Sequence, residues 1–227
     1  MQNQGQAIDG PILPGFLGYN PEITKYEYNP EKAVEILASD GWKLDEEEEI
    51  LKKEDQELVL ILTTVEQTEK IQAATLITEY WNNLGIKTQL QIVSKENIEN
   101  DIINPRNYQL LLYGEIIGYD PDLFPFWHSS QREHPGVNLA NYVNRKADLL
   151  LEDARKTNDQ TVRSEKYQEF QNILLEDLPA IFLYSPTYTY PVNTKIQGIE
   201  INRIAKPYDR FINLADWYLK TKKKFFN

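Results

Sequence analysis

The chain has 227 residues, 41% hydrophobic and 26% charged, with a formal net charge of -11. That balance suits one sizeable globular domain, or one with extra segments, and excludes disorder. An acidic surface repels phosphate backbones and so argues against nucleic acid as a partner. There is no cysteine, which rules out disulfides, thiolate zinc sites and a cysteine nucleophile.

The opening MQNQGQAIDGPILPG carries no secretory signal and reads as the interior of a longer protein behind a start methionine. Gly10, Pro11, Pro14, Gly15, Gly18 and Pro21 make it an extended, irregular entry. A helix is predicted from Asn29 as N-cap with Pro30 at its first position. Its apolar face is Ala33, Val34 and Leu37, and it stops at Asp40-Gly41. The acidic run Asp45 to Glu49 reads as a solvated hairpin tip, with a cation site as the other reading. Leu58 to Leu62 is a continuous apolar run, the mark of a buried strand. A helix follows from about Thr68 to Leu84, with Ala73, Ile77, Trp81 and Leu84 inward. The alternation of Ile86, Thr88, Leu90 and Ile92 gives a second strand. Strand, helix and strand form a βαβ unit, so the two strands should be parallel with a right-handed crossover. Ser94 caps a short helix with Ile98 and Ile102 inward, stopped by Asn104-Pro105.

Tyr108 to Gln131 is the stretch that carries chemistry. An apolar strand, Tyr108 to Tyr113, breaks at Gly114 and Gly118. The turn Tyr119-Asp120-Pro121-Asp122 follows, then Leu123, Phe124, Phe126 and Trp127. Carboxylates beside aromatics on a loop leaving a buried strand can hold a ligand; equally, the aromatics can tuck the loop onto the core. Beyond it, a helix is predicted over Lys146 to Lys156 with Ala147, Leu150, Leu151 and Ala154 inward. A second helix starts at Asp159 with Val162, Tyr167, Phe170, Ile173 and Leu174 inward and is stopped by Pro179. Ala180 to Tyr184 reads as a buried strand, and Tyr188, Tyr190, Val192, Ile196, Ile199 and Ile201 as further strands. Lys220, Lys222, Lys223 and Lys224 form a basic tail. No run of about 18 apolar residues is present, so no transmembrane helix is predicted. The fold class is α/β, a mixed sheet with helices packed on it.

The run Pro30-Glu31-Lys32-Ala33 with Leu37 and Gly41-Trp42 resembles a helix motif of the family 5 extracellular solute-binding proteins, the peptide-binding components of ABC importers. Four further pieces match in order: Leu84-Gly85-Ile86; Asp120-Pro121; Asn138 to Asp148; and Arg163 with Tyr167, Leu178-Pro179 and Leu183-Tyr184. The resemblance runs from about Gly10 to about Leu219. It implies the C-terminal lobe of a two-lobe, type II periplasmic-binding-protein-like fold. Residues 1–22 would then be an inter-lobe entry, 23–190 the ligand-binding lobe and 191–227 a return segment with its tail. It implies a peptide or small-molecule ligand, an N-terminal lobe missing from this chain, an ABC permease as partner and an extracytoplasmic location. Membrane contact would come only through a partner or an anchor outside this chain. No cofactor, metal or catalytic residue is implied. The cleft residues would be Tyr113, Gly114, Glu115, Ile117, Tyr119 and Trp127. One position departs from the family. Four residues before the proline of the Asp-Pro turn, the dipeptide and oligopeptide binders carry an aspartate that pairs with the ligand's ammonium; here it is Ile117. Glu115, Asp120 or Asp122 could substitute, or the ligand lacks a free amine there.

Two other functions remain open at this level. Glu115, Asp120, Asp122 and His128 could form an acid/base set, as paired carboxylates do in glycosidases. No nucleophile elbow, zincin motif or phosphate loop accompanies them, and His128 and His134 do not share a helical face. The same fold could also serve a sensor that reports a ligand to a membrane partner.

Overall fold

The computed structural model describes residues 5–118, 120–201, 204 and 206–220. In chain order the elements are β1 (Gly5–Ala7), α1 (Pro30–Ser39), β2 (Lys43–Asp45), β3 (Ile50–Lys53), β4 (Gln56–Glu57), β5 (Val59–Val65), α2 (Thr68–Asn82) and β6 (Lys87–Val93). There follow a wide-turned helix over Ile98–Ile103, β7 (Leu110–Leu112), α3 (Phe124–Trp127), α4 (Arg145–Arg155), α5 (Gln160–Asp177), β8 (Tyr184–Pro186), β9 (Ile196–Gln197) and β10 (Tyr218–Leu219). The chain's contacts divide it into two units. One joins Met1–Lys25, Ile116–Ser129 and Ala140–Asn227; the other joins Tyr26–Glu115 and Ser130–Leu139.

The second unit is built on a three-stranded sheet in the order β6-β5-β7, all parallel, with Val65 opposite Val93 and Thr64 opposite Leu112. The βαβ unit read from the sequence is present, and β7 adds on the far side of β5. The helix α2 packs along β5 and β6. Its tightest residue is Ala74, fully buried, rather than Ala73, and Trp81 is only half-buried. The Ile98–Ile103 helix lays Ile98, Ile102 and Ile103 against Val65, Val93 and Leu111. Ser94 contributes its carbonyl to the start of that segment, accepting from the Ile98 N–H. The turns are wide because the Asn104 N–H reaches back to the Glu99 carbonyl. Asn29 caps α1 as expected, its side chain accepting from the Lys32 N–H, but α1 buries no residue and Val34 is 45% exposed. The acidic run is the tip of the β2-β3 hairpin: Asp45 accepts from the N–H groups of Glu47 and Glu48 and pairs with Lys52. No group of metal-binding side chains occurs there or elsewhere among the described residues.

The first unit has a helical core. Asn144 and Asp159 cap α4 and α5, each accepting from two backbone N–H groups. Capping leaves the apolar stripes to decide the packing. Ala147, Leu150, Leu151 and Ala154 of α4 meet Tyr167, Phe170 and Leu174 of α5, with Ile12, Phe16, Leu123, Trp127 and Tyr142 completing the cluster. The entry segment is held from inside: Gln171, fully buried, donates from Nε2 to the Gly18 carbonyl at 2.8 Å. The expected buried strand Ala180 to Tyr184 is corrected. Only Tyr184–Pro186 is strand, antiparallel to Gly5–Ala7, and Ile181 is 71% exposed. A strand lasts only as long as its partner, and β1 offers three residues. The same limit applies downstream. Of Tyr188 to Ile201 only Ile196–Gln197 pairs, with β10, because Pro191 and the glycine turn at Gly198 break the run. Of the basic tail, Lys222, Lys223 and Lys224 lie outside the described residues. No helix is long and apolar enough to cross a membrane among the described residues.

Candidate functional site

Three parallel strands end at one edge of the β6-β5-β7 sheet, at Val65, Val93 and Leu112. The chain leaves β5 for β6 on one side and then crosses to β7 on the other, so β5 lies at the point where the strand order reverses. In open α/β sheets the crevice beyond the carboxyl ends at such a point is where ligands bind. A cavity of about 260 Å³ sits there, lined by Val65, Gln67, Lys70, Lys95, Ile98, Glu99, Tyr113 and Gly114. Its floor is apolar, since Val65 and Ile98 are 8% and 2% exposed. Its rim is charged and accessible: Gln67, Lys95 and Glu99 are exposed, and Lys70 and Tyr113 are half-buried.

Apart from Val65, the last residue of β5, each lining residue comes from a loop or helix start that follows a strand. Gln67 and Lys70 open α2 after β5. Lys95, Ile98 and Glu99 follow β6, and Tyr113 and Gly114 follow β7. A side chain at position 114 would project toward the Lys70 ammonium, which lies 3.5 Å from where a Cβ would stand. Burial pushes the Tyr113 phenol above its ordinary value, and the Glu99 carboxylate adds to the effect, so the hydroxyl stays a neutral donor.

Glu115, the next residue along, is exposed, yet protein atoms displace enough water around its carboxyl to push its pKa up to about 7. The fold therefore holds this proton more tightly than the unfolded chain does. Stability falls as pH rises from about 4.5, where the unfolded carboxyl ionises, to about 7, where the folded one does. Denaturant melts of wild type and Glu115→Gln at pH 5 and pH 8 check this. The wild type should lose stability relative to the variant between the two values; parallel behaviour would show an ordinary carboxylate.

Of the six expected cleft residues, Tyr113 and Gly114 line the cavity together and Glu115 follows them in the chain. Ile117 is partly buried against the core of the first unit. Trp127 is corrected to a framework role. It is 6% exposed, with its ring against Tyr142 and Phe182, so it has no face left for a ligand. Tyr119 lies outside the described residues. The acid/base set is not assembled as a set. Asp120 is taken by Arg163 at 2.8 Å and Asp122 by the Arg155 Nε at 3.0 Å. His128 stacks on Phe124 and meets Glu152 at 3.3 Å. Sequence reading missed Gln67, Lys70, Lys95 and Glu99. The signal was available: parallel strands bring all three of their trailing loops to one edge, and only the third loop was followed.

A mixed α/β lobe of this kind is the lobe of a type II periplasmic binding protein. The chain belongs to the bacterial extracellular solute-binding proteins of family 5, whose model, described as "Bacterial extracellular solute-binding proteins, family 5 Middle", matches residues 1–136. It is 29% identical to the oligopeptide-binding protein AppA of Bacillus subtilis, over 94% of this chain and 40% of AppA. The solved structure of AppA in complex with a nonapeptide superposes with a TM-score of 0.77 at 27% identity, covering 97% of this chain and 44% of that one. The probable D,D-dipeptide-binding periplasmic protein DdpA of Escherichia coli is 25% identical over 89% of this chain and 37% of its own. NikZ from Campylobacter jejuni, solved with Ni(L-His), shares the fold at 21% identity and a TM-score of 0.75, covering 95% of this chain and 44% of that one. The chain thus spans about 40% of the length of the curated relatives it matches.

Proposed function

We propose that this chain is the C-terminal lobe of an extracytoplasmic solute-binding protein that captures peptides for an ABC importer, with a second lobe completing the cleft. The observation that carries this reading is the cavity beyond the carboxyl ends of β5 and β7, in a chain of this family, with Tyr113 and Gly114 in its wall. The peptide preference draws on the names of the relatives: AppA is an oligopeptide binder and DdpA a probable dipeptide binder. In this reading residues 1–22 and 191–227 run toward the other lobe, and a permease receives the loaded protein. The lobes close on the ligand by hinge motion.

Glu115 is the residue that meets the peptide's ammonium group, in place of the aspartate that Ile117 replaces. Its raised pKa gives the test a pH signature, because a cationic group prefers the ionised carboxylate, and Glu115 ionises through about pH 7. In calorimetry on the full-length protein, tetra-alanine with a free amine should bind more tightly as pH rises from 6 to 7, below the pH at which its own amine loses its charge, and N-acetylated tetra-alanine should not. Glu115→Gln should weaken the free-amine peptide by about 1.5–3 kcal/mol, the range for a hydrogen bond to a charged group, and leave the acetylated one nearly unaffected. Equal losses for both peptides would remove Glu115 from the site.

A further inference from the structure

We infer that Arg163 is a positioning residue for the bound peptide: by holding Asp120 it fixes the stretch that presents Glu115 to the ligand's ammonium group. This deepens the peptide-binding reading and rests on it. The chain leaves β7 and, among the described residues, reaches no fully buried one from Gly114 until Pro121. Glu115, Ile116 and Asp120 are exposed, and Ile117 and Gly118 are half-buried. No backbone hydrogen bond fastens this stretch among the described residues. Glycines stand at 114 and 118, and a Cβ at 118 would meet nothing nearer than the Asp120 carbonyl at 3.7 Å. A segment so built has many conformations open to it, and a carboxylate carried on it has as many places to be.

The polar tie seen on it is at its far end, where the Arg163 Nη2 donates to the Asp120 Oδ1 at 2.8 Å. The arginine is the fixed partner, its side chain 16% exposed against 67% for Asp120. Its guanidinium lies 5.8 Å from the ring centre of Tyr167, one turn further along α5, and Tyr167 is itself 1% exposed. The cation is therefore set by the helix, and the loop's carboxylate is drawn to it. The neighbouring pair differs. Arg155 donates from Nε and Nη2 to Asp122, but Asp122 lies between Pro121 and Leu123, both fully buried, and it also accepts from the Phe124 N–H. Burial already fixes that part of the loop. Asp120 stands on the open side of it, five residues along the chain from Glu115. An ion pair with an exposed partner adds little to overall stability. It still sets how often a free segment holds one conformation, and a ligand that needs that conformation binds only the fraction that has it.

The experiment is calorimetry of the full-length protein at pH 7 with tetra-alanine and its N-acetylated form. The readout is the ratio of the two affinities, which isolates the ammonium contact from the rest of the peptide. Wild type should favour the free amine by about tenfold or more. Arg163→Met should bring the ratio below about threefold, because Glu115 is then seldom in place. Arg163→Lys keeps a cation for a single hydrogen bond and should hold the ratio within about twofold of wild type, and so should Arg155→Met. In a Glu115→Gln background Arg163→Met should change the ratio no further, since both act through one carboxylate. Melting temperatures of the Arg163 variants should stay within about 2 °C of wild type. A ratio that survives Arg163→Met overturns the inference and leaves the peptide reading standing. So does a ratio lost equally in Arg163→Lys or Arg155→Met, a further loss in the Glu115→Gln background, or a loss that comes with a fall of several degrees in melting temperature. Equal binding of both peptides by the wild type removes the Glu115 contact and the inference together. Binding of neither peptide overturns the peptide reading as well.

Discussion

Phe170→Ala should lower the free energy of unfolding by about 3–5 kcal/mol, the cost of deleting a large aromatic from a packed interior. Phe170 is 0% exposed and sits in the middle of α5 between Tyr167 and Leu174, in the same buried cluster as Leu151 and Ala154 of α4. Those neighbours are themselves at 0 to 1% exposure, so none has free surface to trade for the lost ring. Interiors are close-packed, and a vacated ring leaves a cavity that rigid helices close only in part. Denaturant melts followed by fluorescence and by far-ultraviolet dichroism measure the change. Trp81→Ala supplies the contrast. Trp81 is larger but half-buried on α2, and its loss should cost less than that of Phe170. A Phe170 variant within about 1 kcal/mol of wild type would show a core that repacks freely.

Gly18→Ala should cost about 2–5 kcal/mol, from two separate sources. Its backbone lies at φ +82°, where an alanine loses roughly 1–2 kcal/mol. The added methyl would stand 2.6 Å from the Tyr167 Cβ, which belongs to a fully buried helix residue and cannot swing aside, and overpacking of that kind costs about 1–3 kcal/mol more. Gly15 separates the two sources. It has φ +84° with nothing within 4 Å of a new Cβ, so Gly15→Ala should show the backbone cost alone. Equal losses in the two variants would mean that Tyr167 yields to the methyl.

The helices of this chain are legible in its sequence because their signals are local. Asn29, Asp159 and the stripe from Ala147 to Ala154 each state a boundary or a face within a few residues, and all three stand as read. The parallel pair β5 and β6 is legible for a related reason, since strand, helix and strand admit one handed connection. Ala180 to Tyr184 failed because strand length depends on a partner some 180 residues away in sequence, which no local pattern encodes. Trp127 failed for a different reason. An aromatic beside a turn looks the same whether it faces a ligand or the core, and the rings of Tyr142 and Phe182 that decide the matter come from other segments. The lysines of the cavity escaped notice because a lone lysine on a loop or at a helix start is the commonest of surface features. Only the sheet's topology gathers Lys70 and Lys95 at one edge.

The hydrogen bond from Gln171 to the Gly18 carbonyl spans 153 positions of the chain, and the β1-β8 pair spans still more. That separation sets an order of events during synthesis. Residues 26–139 leave the ribosome complete, with all three parallel strands and the helices between them, before α5 exists to receive Ile12, Phe16 and Gly18. The unit around β5 can therefore form while the entry segment is still unplaced. Closing the other unit means drawing that segment back across a loop of more than a hundred residues. Loop-closure entropy grows only slowly with length, so the final state loses little by it, but contacts so distant in sequence form late and slowly. Until they form, Ile12 and Phe16 have no interior to occupy, and the newly made chain is at its most exposed to proteases and to its own neighbours.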